Sequence, residues 1–520
     1  MNSQNKESQQ SNQKPDLWDM NMPLLNLSEN DTWTLRDATS GVQIFGATGS
    51  GKSSTSGKAI AKAYLSAGFG GLVLCAKVDE AQRWLQYAKE CGREKSIIHV
   101  HENGDFRFDF LNYEMTREGG GDPENILDLF VKVVELTQGS SMSEGENAYF
   151  YESCKALLRS AIYICSEGYG KISLVDIYNI VSSAPTSMDE VNSDEWKAES
   201  DCYKALEACN IKEKNRQESL GEKYQPNPEL DICARYFLSS YPRFGDRLRS
   251  SISSIFIAGA DPWLRGKLRK LFSRKQDEIN PETGTTGFYL DPDHCKDGAI
   301  YIFDYPIKSG LTGRLSQSLY KLVWQQHFER RDVTKDGGRP CYLFCDEAQL
   351  FLVDQDQLFA QTARSSRVLN VMLSQNLSNY YDALGGANSA RGVQSTNSLL
   401  GNLATTIFHA NGEETNSYGS KLFGQEWRYS ASTSSSSSSG FSNSHGDQGG
   451  SSSSDNTSDG ITVNESQRNV IEARDFTLLR TGGEANNYKV DALIHQTGRI
   501  WNGTGSNYLK VQFDQQKLGI

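Results

Sequence analysis

Two clusters in this 520-residue chain have residue types and spacing suited to phosphate chemistry. The first is Gly46-Ala47-Thr48-Gly49-Ser50-Gly51-Lys52-Ser53-Ser54, which follows the apolar run Val42-Gln43-Ile44-Phe45 directly. A glycine, four residues and then Gly-Lys-Ser, between a strand and a helix, is the spacing of a nucleotide-binding P-loop. Backbone N–H groups of such a loop cradle phosphates, and the helix N-terminus adds the positive end of its dipole. In this reading Gly46 to Ser54 contact ATP, Lys52 reaches the β- and γ-phosphates, and Ser53 ligates Mg²⁺. A flexible Gly/Ser linker could match the same spacing. The flanks argue against it, because Ala59, Ile60, Ala63 and Tyr64 put an apolar stripe on a helix just downstream.

The second cluster is Pro340-Cys341-Tyr342-Leu343-Phe344-Cys345-Asp346-Glu347. A short apolar run ending in two acids describes a buried strand whose C-terminal tip delivers carboxylates to the crevice where ligands of open α/β sheets bind. Asp346 is the expected Mg²⁺ partner of Ser53, and Glu347 the general base that polarises the attacking water. Gln375 ends another apolar run, Val368 to Ser374, and is placed to reach the γ-phosphate or that water. Arg364 lies eleven residues before it. Its guanidinium suits the neutralisation of charge on a transferring phosphoryl group, in its own subunit or in a neighbour's.

Elements that position these residues alternate along the chain. Thr32 to Arg36 reads as a short strand, Leu72 to Ala76 and Ser96 to Val100 as further strands, and Asp79 to Cys91 as a helix between them. That alternation predicts an α/β fold with a parallel sheet and helices on both faces. His99 and His101 share one strand face without a matching set of metal ligands, so a structural role is expected. Residues 122–284 read as an all-helical domain inserted into the sheet domain of residues 21–121 and 285–520. Phe150, Cys154, Leu157, Leu158, Ala161, Ile162 and Cys165 keep helical spacing there, and Gly168-Tyr169-Gly170 ends that helix. Strands resume at Gly298 to Asp304, a helix follows over Leu315 to Phe328, and Thr405 to His409 is a strand. At the C-terminus Lys489 to Ile494, Gly498 to Trp501 and Tyr508 to Phe513 read as β. The low-complexity stretch 430–460 reads as the flexible tip of a long hairpin, flanked by strand-like Glu426 to Tyr429 and Ile461 to Asn464.

Charge is unevenly distributed. The net charge of -12 excludes a uniformly basic nucleic-acid coat. Asp189 to Asp201 is an acidic segment read as loop-rich, whereas Arg243 to Lys275 carries nine basic residues against two acids. That basic stretch is either a salt-bridged surface or a patch that tracks nucleic-acid phosphates. Ten cysteines without a CxxC pair point to free thiols in a reducing cytoplasm. No apolar run is long enough to span a bilayer, so contact with a membrane is expected only through a partner. Residues 1–20 are read as a disordered polar tail.

With these residues in place, the chain resembles the TraG-like coupling ATPases of conjugation and type IV secretion, in the HerA–FtsK branch of P-loop motors. The resemblance rests on Gly46 to Ser53, Leu343-Phe344-Cys345-Asp346-Glu347-Ala348, Arg364 with its spacing to Ser374-Gln375-Asn376, and Gly401-Asn402 before the strand at 405. It implies a RecA-like P-loop core, a homo-hexameric ring with ATP and Mg²⁺ at subunit junctions, and Arg364 acting in trans. It also implies a channel that moves DNA, and a helical domain that selects a relaxase-type or other protein substrate. Three features depart from the family. Transmembrane helices are missing, the signature after the second strand is reduced to Ala76-Lys77-Val78-Asp79-Glu80, and the Ser-rich hairpin is long. Two other functions stay open: an ATP-regulated receptor for a protein substrate, and a HerA-like motor of a phage or defence system.

Overall fold

A computed structural model describes residues 18–138, 148–275, 277–305, 307, 310–386, 389–443 and 451–517. The polar tail lies outside them up to residue 17. The chain forms two compact units. One takes in residues 18, 64–346 and 350–369, and the other residues 19–63, 347–349 and 370–517.

In the second unit the strand Val42–Phe45 is buried along its whole length. It pairs in parallel with residues 371–374 of the strand Val368–Ser374 on one side and with Thr405–Phe408 on the other. Thr405–Phe408 then pairs antiparallel with Lys489–Gln496, which pairs antiparallel with Tyr508–Asp514. A strand covered on both faces needs apolar residues at consecutive positions, which is why Val42, Ile44 and Phe45 run without the alternation of a half-exposed strand. Tyr508–Asp514 does alternate, with Leu509, Val511 and Phe513 buried, as an edge strand with one wet face should.

Two short-strand expectations fail in this unit. The strand expected over Thr32 to Arg36 stops at Thr34, and Leu35–Ala38 is a short helix. Thr34 and Asp37 form a capping box, in which each side chain satisfies the other residue's backbone N–H. Gly498 to Trp501 is not a strand: it leaves a turn at Thr497-Gly498 and ends at Trp501, which forms an isolated bridge with Ser506. Gly498, at φ +77°, turns the chain there.

In the first unit four strands run parallel in the order Cys341–Cys345, Gly70–Leu74, Ile300–Asp304, Ile97–His101. His99 Nε2 bonds Asp304 Oδ2 at 2.9 Å across two of them. Phe106–Arg107 pairs with Phe288–Tyr289, and between these two short strands the chain is helical from Pro123–Gln138 to Gly266–Phe272, with no strand among the described residues. The 22-residue helix Ala148–Tyr169 buries Cys154, Leu157, Leu158, Ala161, Ile162 and Cys165, and the chain reverses at Gly170 with φ +69°. Each fully buried aliphatic or aromatic side chain contributes roughly 1.5–3 kcal/mol.

The acidic segment is also not loop-rich. It forms the helices Met188–Asn192, Asp194–Glu199 and Asp201–Leu220, with Ser187, Ser193 and Ser200 as N-caps. Acidic residues in the first turn complement the helix dipole, so the charges that looked like a loop signal mark helix starts.

Of the nine basic residues in Arg243 to Lys275, seven are ion-paired: Arg249, Arg265, Lys267, Arg269, Lys270, Arg274 and Lys275. Arg274 is buried against Asp105. The ten cysteines are free thiols. Among the described residues, no helix is long and apolar enough to cross a membrane.

A buried ion pair anchors the segment that follows the Cys341–Cys345 strand. Lys321, on the helix Leu311–Glu329, donates to Asp356 and to the carbonyl of Phe351 at 2.7 Å, and Gln325 donates to Asp356 at 2.8 Å. Removing one member leaves the other charge buried. Lys321→Met is therefore expected to lower unfolding stability by about 3–5 kcal/mol, read from urea denaturation.

Candidate nucleotide site

The loop after Val42–Phe45 is shaped by two glycines that side chains could not replace. Gly49 has φ +78° and Gly51 φ +89°, and a Cβ on Gly51 would lie 2.7 Å from Val490. The Gly46 N–H donates to Ser374 at 3.2 Å and that of Ala47 to Ala410 at 2.9 Å, so the loop departs from the tips of both flanking strands. Thr48 and Gly49 form its outer turn, and Ser50 N–H closes back on Ala47 at 3.0 Å. Regular helix begins at Ser56 and runs to Ser66. Ser50 Oγ is buried and has no hydrogen-bond partner among the described residues. An orphaned hydroxyl at this bend fits a loop completed by a polyanionic ligand.

Lys52 is buried, with Nζ 3.8 Å from Oε1 of buried Glu347. Gln375 Nε2 donates to the same oxygen at 3.1 Å, and Gln349 Nε2 to Glu347 Oε2 at 2.9 Å. Two of the residues singled out in the sequence, Lys52 and Gln375, thus converge on the carboxylate of a third, Glu347. Glu347 itself sits at φ +54°, in the left-handed region that a non-glycine residue occupies at a cost of about 1–3 kcal/mol. Such strain is held only where surrounding contacts over-determine it. Ser53, half-buried, is next to Lys52, and Ser54 bonds Gly51 O at 3.1 Å while accepting from Gln515 at 3.0 Å.

Asp346 is buried at the end of the Cys341–Cys345 strand, covalently next to Glu347. Glu80, which the sequence reading passed over as a helix start, lies beside it. Its Oε2 accepts from the N–H of Ala76 at 2.6 Å and of Lys77 at 3.2 Å. Burial and the neighbouring Asp346 carboxylate push Glu80 up to about 8. Arg83 lies 4.0 Å from the other oxygen of Glu80, and the two adjacent carboxylates form a donor set that suits a hard divalent cation. The signal was present in the acidic pair Asp79-Glu80 after the strand, but only folding shows which of the two turns inward. Arg364 is exposed on the turn after the helix Gln355–Thr362 and has no ion pair among the described residues.

His409 is a further residue that sequence reasoning missed, because it reads as the end of an apolar strand. It is fully buried behind the loop. Its Nδ1 lies 3.2 Å from the carbonyl of Asp491, which can only accept, so Nδ1 carries the proton and Nε2 accepts from Ser56 Oγ at 2.8 Å. Neutral His409 therefore ties the start of the loop's helix to the neighbouring strand.

Comparison with known proteins gives two findings. Residues 340–479 match the family described as the TraM recognition site of TraD and TraG. The fold matches solved structures of the bacterial conjugative coupling protein TrwB. The unbound monoclinic form of TrwBdeltaN70 superposes with a TM-score of 0.53 at 12% identity, over 95% of this chain and 90% of that one. Plasmid coupling protein TrwB with a non-hydrolysable GTP analogue, GDPNP, and with an ATP analogue, ADPNP, each gives 0.51 at 13% identity, over 93% and 89%. A sequence search of curated proteins finds no match. The α/β, RecA-like fold expected from the sequence is thus the fold of TrwB, and the resemblance to TraG-like proteins holds in the stretch carrying Asp346, Glu347, Arg364 and Gln375.

Burial, with the charge of Lys52 nearby, holds His409 down at about 4. A folded-state value below the unfolded value of about 6.5 means stability that is fully present above pH 6.5 and lost as pH falls toward 4. Wild-type protein is expected to lose about 3 kcal/mol across that window from this group. His409→Gln should flatten that part of a stability–pH curve measured by denaturant unfolding.

Proposed function

We propose that the chain is an ATP-hydrolysing coupling motor that works as a homo-hexameric ring and moves DNA in a conjugation or type IV secretion-like system, on the cytoplasmic side of any membrane its partners occupy. The observation that carries this reading is the convergence of Lys52, Gln375 and Gln349 on the strained, buried Glu347, beside a P-loop in a fold shared with conjugative coupling proteins.

In this reading the helix start and the N–H groups of Gly46 to Ser54 bind the phosphates of ATP. Lys52 exchanges Glu347 for the β- and γ-phosphate oxygens, which is favourable because the pair at 3.8 Å is too long for a good hydrogen bond. Ser53 and Asp346 would hold Mg²⁺, which neutralises charge building on the phosphate oxygens. Released from Lys52, Glu347 accepts a proton from water, and Gln375 orients that water. Arg364, exposed and without an ion pair among the described residues, completes the site of a neighbouring copy. The region 340–479 and the helical domain, placed at residues 122–284 between the two parts of the ATPase domain, supply surfaces for a relaxase-type or other protein partner.

Extensive ion pairing in Arg243 to Lys275 supports a second reading, because a salt-bridged face has few charges left for phosphates. There the chain is an ATP-regulated receptor for a protein substrate.

The two readings separate in an ATPase assay with single- and double-stranded DNA. The motor predicts stimulation and binding that weakens steeply with salt, and the absence of both would leave the receptor. Lys52→Ala should abolish nucleotide binding, whereas Glu347→Gln should bind ATP yet hydrolyse it at least about 100-fold more slowly. If Lys52→Ala hydrolyses normally, the site is wrongly placed. Mixing wild-type with Arg364→Ala subunits should lower activity more than in proportion to the mutant fraction, and a linear fall would deny the shared site.

A further inference from the structure

The Ser-rich stretch is not the loop that its composition suggests. Gln425–Asn443 and Ser451–Asn469 form an antiparallel ribbon of nineteen consecutive pairs, from Gln425 with Asn469 to Asn443 with Ser451, without a bulge. At about 3.4 Å per residue it projects roughly 60 Å. Residues 444–450 lie outside the described set. The ribbon is a sheet of two strands only, so each strand presents an unpaired edge. From Ser430 to Asp459 every residue whose side chain is described is exposed.

Such a ribbon is not stable by itself. Ordering the backbone costs about 1–2 kcal/mol per residue, and an isolated hairpin in water is marginal even with an apolar face to pack. Among the residues whose side chains are described, the apolar face lies near the base, where cross-strand pairing puts Trp427, Tyr429, Ala431, Ile461 and Val463 on one side. Of these, Trp427, Tyr429, Ile461 and Val463 are 60–73% exposed. Natural sheets protect long edges with lysine, proline or bulges. The whole stretch from Ser430 to Asn464 contains no lysine, arginine or proline, and the ladder contains no bulge. Both edges are therefore built to be paired.

We propose that the ribbon is an interface between copies of this chain: the Gln425–Asn443 edge of one copy pairs with the Ser451–Asn469 edge of the next, so that the ribbons of a ring close into a continuous β-crown. The proposal rests on the ring reading above. Three features favour a second copy over other occupants. Head-to-tail addition repeats the antiparallel pairing already present within each ribbon, and closure around a ring satisfies both edges, where a single foreign strand would satisfy one. Contact along an edge is made by backbone groups, so a serine run serves as well as a specific sequence. Glu426, Asp455, Asp459 and Glu465 outnumber Arg428 and Arg468, which disfavours a nucleic-acid backbone as occupant.

The test compares full-length protein with two variants by native mass spectrometry, with and without ADPNP, and by hydrogen exchange. One variant replaces residues 431–463 with Asn-Gly, a two-residue hairpin turn that joins the paired Ser430 and Asn464 in register. The other, Ser432→Lys with Ser434→Lys and Ser436→Lys, keeps the length and charges the edge. Wild-type should assemble, with amides of Glu426 to Ser442 protected in the oligomer and freely exchanging in the monomer. Both variants should need at least tenfold higher concentration to assemble, while binding ADPNP as wild-type does. Variants that assemble like wild-type, or ribbon amides unprotected in the wild-type oligomer, overturn the crown and leave the ring standing. The same assembly combined with loss of binding to a TraM-type protein assigns the ribbon to that partner and also overturns it. A wild-type chain that stays monomeric overturns ring and crown together.

Discussion

The buried pair of Lys52 and Glu347 is the interaction that the rest of the site is arranged around. Removing two such charges from water is expensive, and a separation of 3.8 Å recovers only part of the cost through Coulomb attraction. The carboxylate is kept in place by the amides of Gln349 and Gln375 and by a backbone turn that only strong local constraint would hold at φ +54°. A pair so poorly matched to each other is well matched to a third party. Under the proposed function, a triphosphate would give Lys52 better acceptors and leave Glu347 free to take a proton.

Strand register is what makes that arrangement possible. Val42–Phe45 is clamped between residues 371–374 and Thr405–Phe408 with Phe45 opposite both Ser374 and Phe408. The residues just beyond, Gly46, Gln375 and His409, must then emerge at the same level. A slip by one residue would break the match of Phe45 with Ser374 and Phe408, so the pairing that builds the second unit's core also aligns the loop with its partners. Neutral His409 adds a polar tie between the helix start at Ser56 and the carbonyl of Asp491, where burial disfavours the charged ring.

The surface shows a second logic, in which charge and backbone polarity are matched within the chain unless an assembly is meant to match them. Most of the basic stretch spends its charge on neighbouring carboxylates, so local sequence charge overstated its reach toward a phosphate backbone. The Ser-rich ribbon is the opposite case. Its side chains carry little charge, but its two edges expose a long row of backbone donors and acceptors with no device to protect them.

The P-loop, the acidic pair at Asp346-Glu347, Gln375 and the alternation of strands and helices were legible in the amino-acid sequence alone, because each depends on a short-range pattern. Apolar runs bounded by glycine, and glycines in fixed spacing, report local backbone geometry directly. Capping of Leu35–Ala38 and of the helices around Asp189 to Asp201 was written in the sequence too, but acidic residues serve loops and helix starts alike, and only tertiary packing selects between them. Glu80 and His409 could not be found by spacing, since their roles come from partners 266 and 353 residues away in the chain, Asp346 and Ser56. Low complexity in Ser430 to Gly460 says that little apolar area can be buried, and that remains true. It says nothing about backbone hydrogen bonding, which any side chain permits, so pairing into a ribbon was decided by structure alone.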